Sequence, residues 1–458
     1  MIRLMTPEFR RETRANLRLA LPLIAAQIAS IGMGTADTIF AGRLGRETLA
    51  AVAVGTNLNI VFFVFFMGVL MACSAIVAQR AGAGQADARV GVFTRDALLL
   101  ALLLATLWVI GVHLLANRVL TNIGLDAGTA QIAVDFLCAY SWAAYGFCLW
   151  FVLRYTAEGV GCTTPVLVSG LAGLGSNILL DWVFMYGKFG MPVYGAVGCG
   201  YATTISSLLM ALVLALQYRR HDVLRRLQVF VRELPQLAAN TREIVRLGLP
   251  IGLILVAEAG LFALAALWMA RFGDDAVAAF QVAINFAAVL FMIPMSLGLA
   301  TTVRVGHAIG AGDPQAARLR GIIGMKLGLL NAVSNASIML LCSGLIAKLY
   351  TDNVTIAAMA VRFLWLAAAF QFFDGLQVTA NGALRGIKDT RIPMMITVTA
   401  YWLVGMPVAW GLGFHTPLDT AGIWWGLTAG LAAAALGLSL RFLSKAQRLK
   451  QMNRVRVP

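Results

Sequence analysis

Charge is scarce in this chain. Lys, Arg, Asp and Glu make up only 12% of its 458 residues, about half the share found in an ordinary soluble domain. That excludes a water-facing surface wrapped around a single core. Cysteine is scarce as well. Cys73, Cys138, Cys148, Cys162, Cys199 and Cys342 are scattered, mostly within apolar runs, and no CxxC occurs. They read as small buried hydrophobes, neither disulfides nor metal ligands. The four histidines (His113, His221, His307 and His415) stand far apart, so no metal-binding motif is expected. No nucleophile–base constellation is visible, which argues against an enzyme.

What the chain has instead is apolar length. It is 60% hydrophobic, and runs of about 20 residues, the length that crosses a bilayer, recur throughout. The short alternating segments of a membrane barrel are missing. The expected fold class is an all-α membrane protein of twelve transmembrane helices. The spans are placed at 17–40, 49–76, 93–115, 130–153, 164–187, 196–218, 244–271, 275–300, 320–347, 356–382, 392–413 and 420–443. Residues 1–18 are basic like the start of a signal peptide, but the run from 17 to 40 is too long for one and reads as a retained first span.

With an even number of spans, alternate loops face the same side. The loops that share a side with the N-terminus hold 29 of the 36 Lys and Arg residues, which places both termini in the cytoplasm. The net charge of +15 does not imply nucleic acid, because no basic face with interleaved aromatics appears. The longest polar stretch, 217–246, reads equally as a basic surface helix on anionic lipids or as a solvated linker.

The chain also repeats itself. Leu21-Pro22 recurs as Leu249-Pro250, "RLGRETLAAVAV" (43–54) as "RFGDDAVAAFQV" (271–282), Gly82-Ala83-Gly84 as Gly310-Ala311-Gly312, and Pro165 as Pro393, all at an offset of 228. Six spans per repeat preserve orientation, so the halves form parallel repeats about a pseudo-twofold axis along the membrane normal. The expected division is an N-lobe over 1–218, a basic cytoplasmic linker over 219–243 and a C-lobe over 244–458. Two six-helix lobes are a transporter architecture, and a monomer is expected.

A charge at mid-bilayer costs roughly 2.5–3.5 kcal/mol or more, so carboxylates inside spans are the informative residues. Glu258, in "LILVAEAGLF", lies near the middle of span 7. Asp374, in "FQFFDGLQVTANG", shares one helical face with Gln377 and Asn381, and Gln371 lies one turn before it. Such a stripe points to a wet cavity or, more simply, to polar contacts between helices. Asp37 falls in the outer third of span 1, where the plain alternative is a carboxylate at the outer interface. Asn177 and Asp181 share a face of span 5, and Thr203 lies in span 6; their plain alternative is hydrogen bonding between helices. Arg154 and Glu158, four apart, read as an interfacial ion pair. Asp274-Asp275 and Thr351-Asp352 read as helix caps.

These features together resemble the multidrug and toxic compound extrusion (MATE) family, in particular its NorM-type branch. The resemblance covers nearly the whole chain. It rests on the 6+6 repeat, the two Leu-Pro openings, "ADTIFAGRLG", "AQRAGAGQ", "GHAIGAGDP", "YGKFGMPVYGAVGCGYAT" and "ANGALRGIKDTRIP". It implies a Na⁺- or H⁺-driven antiporter in the bacterial inner membrane that exports lipophilic cations. It also implies a C-lobe cation site at Glu258 and Asp374, where Na⁺ is possible, and an N-lobe site at Asp37, Asn177, Asp181 and Thr203. Position 181 is often Asn in NorM-type relatives, so this chain carries carboxylates in both lobes. Some members place a Tyr one turn before the span-10 aspartate; here it is Phe370.

Two carboxylates and a few oxygen donors suit a proton or a hard cation. A drug cation would be attracted only to the empty pair, so competition for one charge gives antiport, with Phe and Met supplying an adaptable apolar lining. No cofactor beyond the coupling ion is expected. A lipid-linked precursor flippase and a nutrient importer are the alternatives; the flippase would need a cationic cleft for phosphates.

Overall fold

In a computed structural model, residues 7–122, 126–231 and 237–456 are described. Arg3, Arg232 and residues 233–236 of the linker lie outside them, as do the side chains of Lys450, Arg454 and Arg456. Among the described residues the chain is helical with no strand, and twelve helices are long and apolar enough to cross a membrane. They are α1 Pro7–Leu44, α2 Arg46–Gly82, α3 Ala88–Thr121, α4 Ala127–Gly159, α5 Thr164–Tyr186, α6 Gly195–Arg220, α7 Ala239–Phe272, α8 Asp274–Gly310, α9 Pro314–Leu341, α10 Val354–Gly386, α11 Arg391–Phe414 and α12 Thr420–Arg448. The count of spans matches the hydropathy pattern. Several helices overrun it: α1 has 38 residues, about 57 Å at 1.5 Å per residue, well beyond ~30 Å of hydrocarbon. Periodicity marks the apolar stretch, whereas backbone hydrogen bonding continues through the polar turns beyond it.

Large apolar side chains face outward, among them Leu103, Leu107, Leu330, Leu403 and Leu440. In water such a surface would aggregate, and in lipid it is the solvated face.

The repeat has a backbone reason. Gly84 and Gly312, 228 apart, have φ of 75° and 72° in the turns after α2 and α8, and Gly45 and Gly273 have φ of 125° and 99° in the turns before them. A Cβ is strongly disfavoured there, so both halves keep glycine where the chain reverses.

The chain forms two compact units. The N-terminal unit comprises residues 22–81 and 85–252. The C-terminal unit comprises α1 up to Leu21, residues 82–84, and the chain from Leu253 onward. The divisions fall at Pro22 and near Pro250, each inside a helix where proline removes a backbone donor. Side chains explain the assignment. Glu12 pairs with Arg304 and Arg320, Asn16 donates to Thr301 Oγ1 at 3.3 Å, and Ala20 packs with Leu297, Ala300 and Ile323. In the N-terminal unit, Arg80 of α2 pairs with Glu243 at 3.2 Å, and Asn240 donates to Asp96 at 2.7 Å.

Three local expectations need correction. The linker forms no long surface helix among the described residues. It has one four-residue helix, Asp222–Arg225. That helix and the following turn bury Leu224, Leu227 and Val229, and Arg95 of α3 donates to the Val231 carbonyl at 2.6 Å. Apolar residues spaced among the arginines gave that turn a place to bury. The caps also differ. Asp274 and Asp275 lie in the first turn of α8 behind an N-cap at Gly273 that makes no side-chain bond. Asn353, not Asp352, caps α10, accepting from Thr355 N and Ile356 N. Finally, Arg154 and Glu158 do pair, at 2.6 Å, but as 2% and 0% exposed side chains within the unit rather than at its surface.

Candidate functional site

In the N-terminal unit four helices converge on one polar cluster. The i, i+4 spacing turns Asn177 and Asp181 of α5 to the same side, and does the same for Cys199 and Thr203 of α6. Asp37 of α1 meets them: Asn177 Nδ2 donates to Asp37 Oδ1 at 3.0 Å and Thr203 Oγ1 donates to Oδ2 at 3.3 Å. All five side chains are buried. Asp37 therefore does not lie at an exposed edge, because α5 and α6 cover it. Both carboxylate oxygens of Asp181, and Asn177 Oδ1, have no hydrogen-bond partner. Tyr140 of α4 lies in the neighbourhood of Asp37. The same tyrosine lines an aromatic hollow with Phe63, Phe66, Trp108, Phe147 and Phe151.

In the C-terminal unit α7 and α10 approach through Phe262 and Phe370, whose rings meet edge to face at 5.7 Å. Phe262 is one turn after Glu258 and Phe370 one turn before Asp374, so the contact brings the two acids to one region. They lie in each other's neighbourhood. Asp374 is buried with Oδ1 unpartnered, and Glu258 is half-buried. Gln371 donates to the Ala287 carbonyl at 3.1 Å, which ties α10 to α8. Gln377 and Asn381 are buried on the same helix, and Gln377 Oε1 lacks a partner.

Other polar residues at these places carry no signal in the sequence. Tyr401 is buried with its hydroxyl unpartnered, and it lies in the neighbourhood of both Glu258 and Asp374. It sits in a π-helical turn, Ala400–Gly405, inside α11; such turns are frequent at functional sites. Cys199 shows its i, i+4 relation to Thr203 in sequence, but a lone cysteine in an apolar run is usually packing. Asp96, by contrast, does carry a signal as an acid inside the span placed at 93–115; it is buried and held by Asn240.

The family model MatE matches residues 22–183 and 250–410, two segments that begin 228 residues apart at Pro22 and Pro250. The chain belongs to the MatE family. Members of the MatE family are transporters, so this chain is a multi-pass membrane transporter and not an enzyme. It is 40% identical over 447 residues to the multidrug resistance protein PmpM of Pseudomonas aeruginosa, covering 96% of this chain and 93% of that one. It is 38% identical to the multidrug resistance protein NorM of Vibrio vulnificus, covering 97% and 98%. The MatE fold is shared with the eukaryotic MATE transporter AtDTX14, at a TM-score of 0.85 and 24% identity over 97% of this chain and 99% of that one. It is likewise shared with a MOP superfamily transporter from Pyrococcus furiosus, at 0.88 and 20% over 96% and 97%.

Proposed function

We propose that this chain is a cation-coupled antiporter, driven by Na⁺ or H⁺, that exports lipophilic, mostly cationic compounds by alternating access. Its relatives carry multidrug resistance names, which supports a broad substrate range. The observation that carries the reading is Asp181, an acid with no exposure and no hydrogen-bond partner on either oxygen. A buried carboxylate in that state is costly, and a proton or a bound cation removes the cost. In the C-terminal unit Asp374, buried with Oδ1 unpartnered, poses a similar problem beside the half-buried Glu258. Two acid sites are therefore candidates for coupling, one at Glu258 and Asp374 and one at Asp37, Asn177, Asp181 and Thr203.

The aromatic side chains around the hollow suit a cationic substrate, because π faces attract cations. Tyr140 lines that hollow and lies in the neighbourhood of Asp37, so a drug cation and a coupling cation would compete for the same negative charge. The excess of Lys and Arg in alternate loops supports a bacterial inner-membrane protein with both termini cytoplasmic. It would act as a monomer among membrane lipids. A flippase for phosphate-bearing precursors is disfavoured, because the buried clusters are acidic.

The test is transport of a fluorescent lipophilic cation by proteoliposomes under imposed Na⁺ or pH gradients, each with the other clamped. One gradient is expected to drive export. Glu258→Gln with Asp374→Asn, or Asp37→Asn with Asp181→Asn, is expected to uncouple it. Export that ignores both gradients, or survives neutralisation of all four acids, refutes the reading.

A further inference from the structure

We propose that the cluster in the N-terminal unit also binds a borderline-soft divalent cation of the Zn²⁺ or Cd²⁺ class through Asp37, Asp181 and the thiolate of Cys199. One carboxylate oxygen from each aspartate and the Cys199 sulfur all lie within 4.8 Å of one another. Around a tetrahedral metal with bonds of about 2.0–2.3 Å, ligand atoms stand about 3.5 Å apart. The three donors are thus within a small side-chain rotation of a metal shell.

Two further observations point to a ligand. Asp181 is buried with both oxygens unpartnered, and Asn177, equally buried, has an unpartnered Oδ1. Asn177 offers a neutral fourth donor beside the three anionic ones. A proton or Na⁺ would use only the oxygens. The sulfur distinguishes this cluster, because thiolate selects Zn²⁺-class ions over hard ones. On binding, the metal takes the place of the thiol proton, which passes to water.

Binding requires only this geometry. Its consequence rests on the coupling role proposed above: the metal would occupy Asp37 and Asp181 and so block export. A second thiol must be controlled for, since Cys162 Sγ lies 3.6 Å from both ring nitrogens of His221. That pair offers only two donors.

The experiment titrates purified full-length protein, in Na⁺-free detergent buffer, with Cd²⁺. It follows the thiolate-to-cadmium charge-transfer absorption and measures bound metal by equilibrium dialysis. The wild type and Cys162→Ser are expected to bind one Cd²⁺ with that absorption. Cys199→Ser is expected to lose the absorption, and Cys199→Ser and Asp181→Asn are each expected to weaken binding about tenfold or more. Cys199→Ala serves if the serine variant does not elute as a folded peak. No absorption in the wild type, or unchanged binding in the Cys199 variants, overturns the proposal. In proteoliposomes the ratio of export with and without Zn²⁺ is expected to fall for wild type and to stay near one for Cys199→Ser. Cys199-dependent binding without inhibition upholds the metal site and refutes coupling at this cluster.

Discussion

Replacing Arg154 alone is expected to destabilise the protein more than replacing Arg154 and Glu158 together. Arg154 Nε donates to Glu158 Oε1 at 2.6 Å and Nη1 donates to Gln27 Oε1 at 3.0 Å. The guanidinium also lies 4.9 Å from the Trp150 ring centroid and 5.6 Å from that of Tyr155. With exposures of 2% and 0%, neither charge is screened by solvent. Arg154→Met leaves the Glu158 carboxylate buried without its guanidinium. Breaking a buried pair in this way costs about 3–5 kcal/mol, a shift of roughly 100-fold or more in the folding equilibrium. The double variant Arg154→Met/Glu158→Met removes both charges and keeps the volume, so most of that loss should return. Glu158→Met alone should resemble Arg154→Met, with a smaller loss because Gln27 still accepts from the guanidinium. The assay is a four-protein cycle of thermal unfolding in detergent. Single variants that melt with the wild type would refute the argument, and so would a double variant that loses the sum of the singles.

Helix crossings give a second prediction. A Cβ on Gly382 of α10 would clash with the Gly298 carbonyl of α8, a backbone atom that cannot rotate aside, whereas one on Gly411 of α11 meets nothing within 4 Å. Gly382→Ala should lower the unfolding midpoint, by roughly 1–3 kcal/mol of overpacking, and reduce export, because Asp374 rides on the same helix. Gly411→Ala should leave both unchanged; equal behaviour of the two variants would be evidence against the crossing. Tyr401→Phe should raise the coupling-cation concentration for half-maximal export about 2- to 10-fold, the worth of one hydrogen bond. An unchanged value would reduce Tyr401 to packing.

Much of the architecture was legible in the chain itself. Apolar runs of bilayer length fix the twelve helices, since a spanning segment must satisfy its own backbone. The 228-residue repeat shows glycines recurring in both halves, and the backbone has positive φ at Gly45, Gly84, Gly273 and Gly312. Carboxylates were informative because charge is so costly in hydrocarbon that each one in a span calls for a reason. Glu258, Asp374, Asp37 and Asp181 therefore stood out, as did Asn177 beside them.

Tertiary structure decided the rest, because side chains far apart in sequence meet only when helices pack. No pattern along α6 or α11 says that the Cys199 thiol would join two aspartates or that Tyr401 would be buried near two acids. Cysteine and tyrosine are ordinary residues of apolar helices. The pairing of Arg154 with Glu158 follows from spacing alone, but its burial depends on Gln27, Trp150 and Tyr155 closing around it. Likewise, Leu-Pro at 21–22 and 249–250 reads in sequence as the opening of spans 1 and 7, whereas each proline lies inside a longer helix. Only the packing of Glu12, Asn16 and Ala20 on one side, and of Asn240 and Glu243 on the other, assigns each helix start to the unit that its remainder does not join.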